Sequence, residues 1–149
     1  MIVKVDQTNI HMAAAVHSAS WQESHRSFCS AEFIALHTPE RQKAYLLEKM
    51  ARGSEIYMLV DGGPVGIVSV TDGCIEDLYV LPGKQNNGYG TELLQYAIKC
   101  CEKDPTLWIL ENNSGAERLY RRMGFRETGR RSRITDRLDE IEFSLRKDG

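Results

Sequence analysis

The chain has 149 residues, 42% hydrophobic and 27% charged, with a formal net charge of −2. That length points to a single domain over residues 1–149, able to bury a core without disulfide or metal staples. The near-balanced charge excludes the basic footprint of a nucleic-acid binder, and no apolar run approaches the ~20 residues of a membrane-spanning helix.

The four cysteines, Cys29, Cys74, Cys100 and Cys101, form no CxxC pair and have no His at ligand spacing, so no metal is expected. Reduced thiols, and an opening Met1-Ile2-Val3-Lys4-Val5-Asp6 without a basic-then-apolar leader, fit a cytoplasmic protein.

Ile2-Val3-Lys4-Val5 reads as a short strand. Asn9 to about Ser24 reads as a helix, with Ile10, Ala13, Ala14, Val16 and His17 near one face. Thr38-Pro39-Glu40-Arg41 is a helix start, because Thr38 can accept an N–H and Pro39 suits the first helical position. That helix carries Tyr45, Leu46, Leu47 and Met50 and stops at Gly53. Three strands joined by glycine-bearing turns follow: Ile56–Val60, Pro64–Val70 and Cys74–Leu81. After Pro82-Gly83 a helix runs from about Gly88 to Lys103, with Leu93, Leu94, Ala97, Ile98 and Cys101 as its stripe. Thr106–Leu110 is a short apolar strand whose crossover from the preceding strand implies a parallel pair. A last helix spans Ser114 to Met123 and ends at Gly124, and Phe125–Thr135 and Leu138–Leu145 close the chain as strands. The expected class is α+β, a mixed and mostly antiparallel sheet flanked by helices, in the order β-α-α-β-β-β-α-β-α-β-β.

Two polar signatures stand out. The first is Gln85-Asn86-Asn87-Gly88-Tyr89-Gly90, followed by Thr91, at a strand-to-helix turn. Unpaired N–H groups at a helix start converge on a small volume, the helix dipole adds partial positive charge, and glycines allow close backbone approach. Such a turn holds phosphate. It lacks the Gly-Lys-Ser/Thr of a P-loop and the third glycine of a dinucleotide fingerprint. The second is Asn113-x-x-Ala116-x-x-x-Tyr120-x-x-x-Gly124-Phe125, in which Ala116 and Tyr120 share a helix face. Asn113 is placed either to cap that helix or to meet a ligand amide.

Together, and over nearly the whole chain, these features resemble the GNAT superfamily of acyl-CoA-dependent N-acetyltransferases. The resemblance implies that the amides from Gln85 to Thr91 (Gln85, Asn86, Asn87, Gly88, Tyr89, Gly90, Thr91) cradle the pyrophosphate of acetyl-CoA. It implies that the backbone of Leu78, Tyr79 and Val80 pairs with the pantetheine arm, helped by Asn113 and Ala116. It gives Tyr120 the role of the acid that protonates the leaving thiolate. The activity implied is acetyl transfer by direct attack in a ternary complex, since no cysteine is placed as an acyl carrier.

The acceptor must lose a proton. A lysine-type amine with pKa about 10.4 does so at about 4 kcal/mol near pH 7, an α-amine more cheaply. Glu76 and Asp77 are the candidate bases; strand alternation allows only one of them to face the acceptor, and Glu76 is preferred. His25 and a water relay are the other candidates. The segment Trp21–Cys29, which includes Phe28, is expected to shape the acceptor site, with Trp21 as a wall and Tyr79 lining the same cleft. Arg121-Arg122 and Arg130-Arg131-x-Arg133 either meet the adenosine 3′-phosphate, favour an acidic acceptor, or form a solvated face. The acceptor is open: a small-molecule amine, or a protein N-terminus or lysine. A homodimer through the closing strands is compatible with the pattern. Two rivals are a catalytically silent acyl-CoA sensor on the same fold and a nucleotide or protein-interaction module using the glycine-rich turn.

Overall fold

The computed structural model describes residues 1–27, 29–136 and 138–147. Its elements are β1 (Ile2–Lys4), α1 (Ile10–His25), α2 (Ala31–Ala35), α3 (Pro39–Ala51), β2 (Glu55–Val60), β3 (Pro64–Thr71) and β4 (Cys74–Val80), then α4 (Tyr89–Cys100), β5 (Thr106–Leu110), α5 (Ser114–Arg122), β6 (Arg126–Thr135) and β7 (Leu138–Ser144). The expected order holds, with one added helix, α2. Its five residues are capped by Ser30, which accepts from the Phe33 amide at 3.2 Å. An element this short carries no periodic signal.

Among the described residues the strands form one sheet in the order β1-β2-β3-β4-β5-β7-β6. Every pairing is antiparallel except β4 with β5. Helices cover both faces, which is why Ile56-Tyr57-Met58-Leu59 is an unbroken apolar run buried throughout. Ile56 and Met58 pack with Ile10, Ala13, Ala14 and Leu46 of α1 and α3. Tyr57 and Leu59 join Leu93, Leu94 and Ala97 of α4, with Tyr120 of α5, Phe125 and Phe143, on the other face.

Thr38 caps α3 as expected, accepting from Arg41 at 3.2 Å, with Pro39 opening the helix. α4 ends at Cys100 rather than Lys103, because Cys101 turns to extended backbone and sinks into the core while Cys100 stays exposed. Gly124 stops α5 at φ +103°, and the Phe125 amide reaches back to the Tyr120 carbonyl at 3.0 Å. Of the expected acceptor segment, Phe28 lies outside the described residues. Among the described residues no helix is long and apolar enough to cross a membrane.

Candidate acetyl-transfer site

Two local features open the sheet at its centre. β4 and β5 pair only through Cys74 with Thr106 and Ile75 with Leu107. Beyond those pairs the strands part, and the β5-facing edge of residues 76–80 has no strand partner among the described residues. Backbone N–H and C=O groups on such an edge need partners, and an extended chain carrying amides can supply them. The Gln85 side chain folds back here, donating to the Val80 carbonyl at 3.3 Å.

The start of α4 stands at the head of this opening. Gly88 is the N-cap at φ +82°, a left-handed conformation that costs a non-glycine residue roughly 1–2 kcal/mol. Among the described residues no side chain caps this end. The first intrahelical bond is the Glu92 amide to the Gly88 carbonyl, at 3.0 Å, so the amides of Tyr89, Gly90 and Thr91 point outward without an intrahelical acceptor. Asn87 braces the loop by donating to the Lys84 and Gln85 carbonyls at 2.9 and 3.2 Å. The Tyr89 hydroxyl donates to Asp61 at 2.5 Å and ties the helix start to the β2–β3 turn. Asn86 sits at φ +66° within the same loop.

α5 brings the second signature to the opening. Asn113 caps the helix, its Oδ1 accepting from the Ala116 amide at 3.1 Å, which leaves its Nδ2 donors without a partner among the described residues. Tyr120 is 8% exposed and packs on Phe125 at 5.9 Å between ring centres. Burial alone raises its phenol pKa well above the usual value. Such a hydroxyl stays protonated and serves as a donor.

The opposite face carries a cleft of 590 Å³, lined by Tyr45 of α3, Glu76, Asp77 and Tyr79 of β4, Trp108 of β5, Arg130–Ser132 of β6, and Glu140 of β7. The alternation expected for Glu76 and Asp77 fails. In β3 the step from Ile67 to Ser69 faces the longer step from Tyr79 to Glu76, so β4 carries an extra residue, and Asp77 absorbs it at φ +52°. The bulge turns both carboxylates onto Lys49, whose Nζ lies 3.0 Å from Glu76 Oε1 and 2.5 Å from Asp77 Oδ2. Asp77 also accepts from Ser69 at 2.9 Å and from the Tyr45 hydroxyl at 3.2 Å. Thr71 donates to Glu76 at 3.0 Å. Burial by itself would lower the pKa of Lys49, but the charge of Asp77 and the bonds from both carboxylates raise it above the usual lysine value. Burial and then Asp77 push Tyr45 up to about 12.

Behind this cluster His17 is buried between the rings of Tyr45 and Tyr79, at 5.3 and 5.2 Å. Its Nε2 is 3.9 Å from Asp77, and its Nδ1 has no hydrogen-bond partner among the described residues. Burial drives its pKa from 6.5 down to about 4, against the pull of Asp77. Trp21 is not a free wall. It is stacked between His25 and His37 at 3.9 and 3.5 Å, and His25 Nδ1 lies 2.8 Å from both the Trp21 carbonyl and the Ser24 hydroxyl. Neither residue lines the cleft. Arg130 and Arg131 do line it, and both are paired: Arg130 with Glu142 at 3.3 Å, Arg131 with Glu111 at 2.6 Å and Asp139 at 3.1 Å. Arg121 is likewise held by Glu117 and Glu127. Tyr45 and His17 enter the sequence reading only as helix positions, and Lys49 and Glu140 do not enter it. Lys49 and Tyr45 sit on a helix stripe that reads as packing, and Glu140 lies on a strand whose outward carboxylates look solvated. Among the described residues no cluster of three or more His, Cys, Asp or Glu could hold a metal ion.

The sequence model of the acetyltransferase (GNAT) domain family matches residues 52–127, from the end of α3 to the start of β6 and just over half of the chain. The chain belongs to that family. Its structure is similar to PaiA N-acetyltransferase of Thermoplasma acidophilum, solved in complex with coenzyme A, at 18% identity over 98% of each chain and TM-score 0.74. It is similar to YncA of Salmonella typhimurium, solved with its cofactor acetyl-CoA, at 18% identity over 100% of this chain and 94% of that one, TM-score 0.70. A GCN5-related N-acetyltransferase of Rhodopseudomonas palustris matches at 17% identity over 98% of this chain and 94% of that one, TM-score 0.77. Identities this low speak for the fold alone. Among curated protein sequences none matches significantly.

Proposed function

We propose that this single domain is a cytoplasmic N-acetyltransferase that moves the acetyl group of acetyl-CoA to a primary amine by direct attack in a ternary complex. The observation that carries the reading is the parting of β4 and β5 beside the uncapped start of α4. Acetyl-CoA needs such a pair of features, a phosphate cradle and an open strand edge for its pantetheine amides. When bound it supplies an activated acyl group. The amides of Gly88 to Thr91 hold the pyrophosphate, with Gln85, Asn86 and Asn87 shaping the loop. The backbone of Leu78, Tyr79 and Val80 orients the pantetheine, and the free Nδ2 of Asn113 adds a donor beside Ala116.

Tyr120 gives its proton to the departing sulfur, where charge develops. The acceptor enters from the cleft on the α1/α3 face. Glu76 stands there where the base was expected, but its Oε1 is committed to Lys49 and Thr71. Its role in this reading is to draw a cationic amine into the cleft. The acceptor is a primary amine on a small molecule, a protein N-terminus or a lysine.

A thiol-release assay over a mixed amine panel tests the reading. Acetyl-CoA-dependent release with at least one amine is expected, with kcat about 10²-fold lower in Tyr120→Phe and KM for acetyl-CoA little changed. Saturable acetyl-CoA binding without release from any amine would overturn it in favour of a silent acyl-CoA sensor.

A further inference from the structure

Among the described residues, both arginines that line the acceptor cleft and the lysine bonded to its β4 carboxylates are paired. Lys49 belongs to Glu76 and Asp77, Arg130 to Glu142, and Arg131 to Glu111 and Asp139. One cleft carboxylate remains outside these pairs. Glu140 lines the cavity from β7, and its carboxylate has no hydrogen bond or ion pair among the described residues. It stands opposite Leu110, the last residue of the strand that bounds the opening, and opposite Ser132 on β6. Tyr79 lines the same cleft from β4.

Resting on the acetyltransferase reading, we infer that Glu140, rather than Glu76, Asp77 or His25, is the catalytic base that takes the proton from the acceptor amine. A carboxylate already paired with a cation is a weaker base, so the base should be free of one, and it must face the acceptor. Asp77 is bonded by Lys49, Ser69 and Tyr45. Glu76 is bonded by Lys49 and Thr71. His25 is stacked on Trp21 outside the cleft lining. Glu140 meets both conditions.

The protons balance. An acceptor arriving as an ammonium ion gives one N–H proton to Glu140, which passes it to water through the open cleft. The nitrogen lone pair then bonds to the acetyl carbonyl carbon, and the carbon–sulfur bond breaks. A second proton leaves nitrogen for Glu140 while the Tyr120 hydroxyl protonates the sulfur. Tyr120 is restored by the proton that Glu140 releases, so each turnover frees one proton to solvent.

The surroundings tune Glu140 for this work. Burial, and then the charge of Glu76, hold its carboxyl above the usual glutamate range, closer to working pH. The charged and titratable groups that line the cleft with it are Glu76, Asp77 and Tyr79 from β4, Tyr45 from α3, and Arg130 and Arg131 from β6, with Lys49 of α3 held by the two β4 carboxylates. Glu142 and Asp139 flank it on β7, Glu111 follows β5, and His17 of α1 stands behind Asp77. The cations among them are paired with other carboxylates, so none is left to pull the Glu140 carboxyl down.

Glu140→Gln tests the assignment with two readouts. First, the carboxyl carbon of Glu140 is titrated by NMR in the protein alone, assigned by its loss in the variant. A midpoint above the protein's exposed glutamates is expected. Second, kcat/KM is measured against pH for two acceptors of one shape whose amines differ in pKa. The variant should lose about 10²-fold or more with the basic amine, lose less with the weakly basic one, and lack the acidic limb that follows the NMR midpoint. Its melting temperature and acetyl-CoA affinity should stay at wild-type values. Wild-type turnover matched by the variant, or an equal loss with both amines, overturns this inference alone. Absence of wild-type turnover with every amine overturns the acetyltransferase reading, and this inference with it.

Discussion

Replacing His17 by Phe should remove about 3 kcal/mol of the stability lost between pH 7.5 and pH 4. His17 is 2% exposed, and burial holds its pKa at about 4 in place of 6.5. The folded protein therefore refuses a proton that the unfolded chain accepts below about pH 6.5. Stability is complete above that pH and falls as pH drops towards 4, where the folded state begins to bind the proton too. At about 1.4 kcal/mol per tenfold change in proton affinity, the loss from this residue is about 1.4 kcal/mol at pH 5.5 and about 3 kcal/mol at pH 4, relative to pH 7.5. Phe suits the space between Tyr45 and Tyr79 and removes the unpartnered Nδ1. Urea unfolding of both proteins at pH 7.5, 5.5 and 4 checks the figures. The wild-type-minus-variant difference should grow by about 3 kcal/mol across the series. Parallel pH curves for the two proteins would refute the argument, because they would mean that His17 takes up its proton without unfolding the chain.

Two further substitutions probe the site's scaffold. Asn113→Ala removes the oxygen that caps α5, bonded to the Ala116 amide at 3.1 Å, and should cost about 1 kcal/mol, or about 3 °C in Tm for a domain of this size. If the free Nδ2 also meets the pantetheine, KM for acetyl-CoA rises as well. Lys49→Met leaves Asp77 and Glu76 side by side without their cation. Lys49 and Asp77 are 12% and 13% exposed, so the loss in unfolding free energy should be about 3 kcal/mol. Restoring charge with Lys49→Arg should recover part of it.

The frame of the molecule is legible because its signals are local. Ile56–Val60 reads as a strand, Thr38-Pro39 as a helix start and Gly124 as a helix stop, and each holds. The two signatures are also local, each carried on a turn and the helix that follows it. The acceptor cleft is different in kind. Its ion cluster joins Lys49 to Asp77, 28 residues apart, through a bulge that no residue pattern announces. Strand alternation gives the wrong orientation for Asp77 because the extra residue in β4 shifts the period there. Trp21 and His25 do meet one turn apart, but they stack with His37 into a buttress, and only packing reveals that. Glu140 is conspicuous for lacking a partner, a property that exists only once every neighbour is in place.

The central claim is that acetyl-CoA lies along the parted strands with its phosphates at the start of α4. Amide NMR spectra of the protein titrated with acetyl-CoA test it most directly. Saturable shifts concentrated at Gly88 to Thr91 and at Leu78 to Val80 are the predicted result. No saturable change, from folded protein shown to be free of co-purified coenzyme A, would contradict the claim, as would shifts confined to the cleft around Glu76 and Glu140.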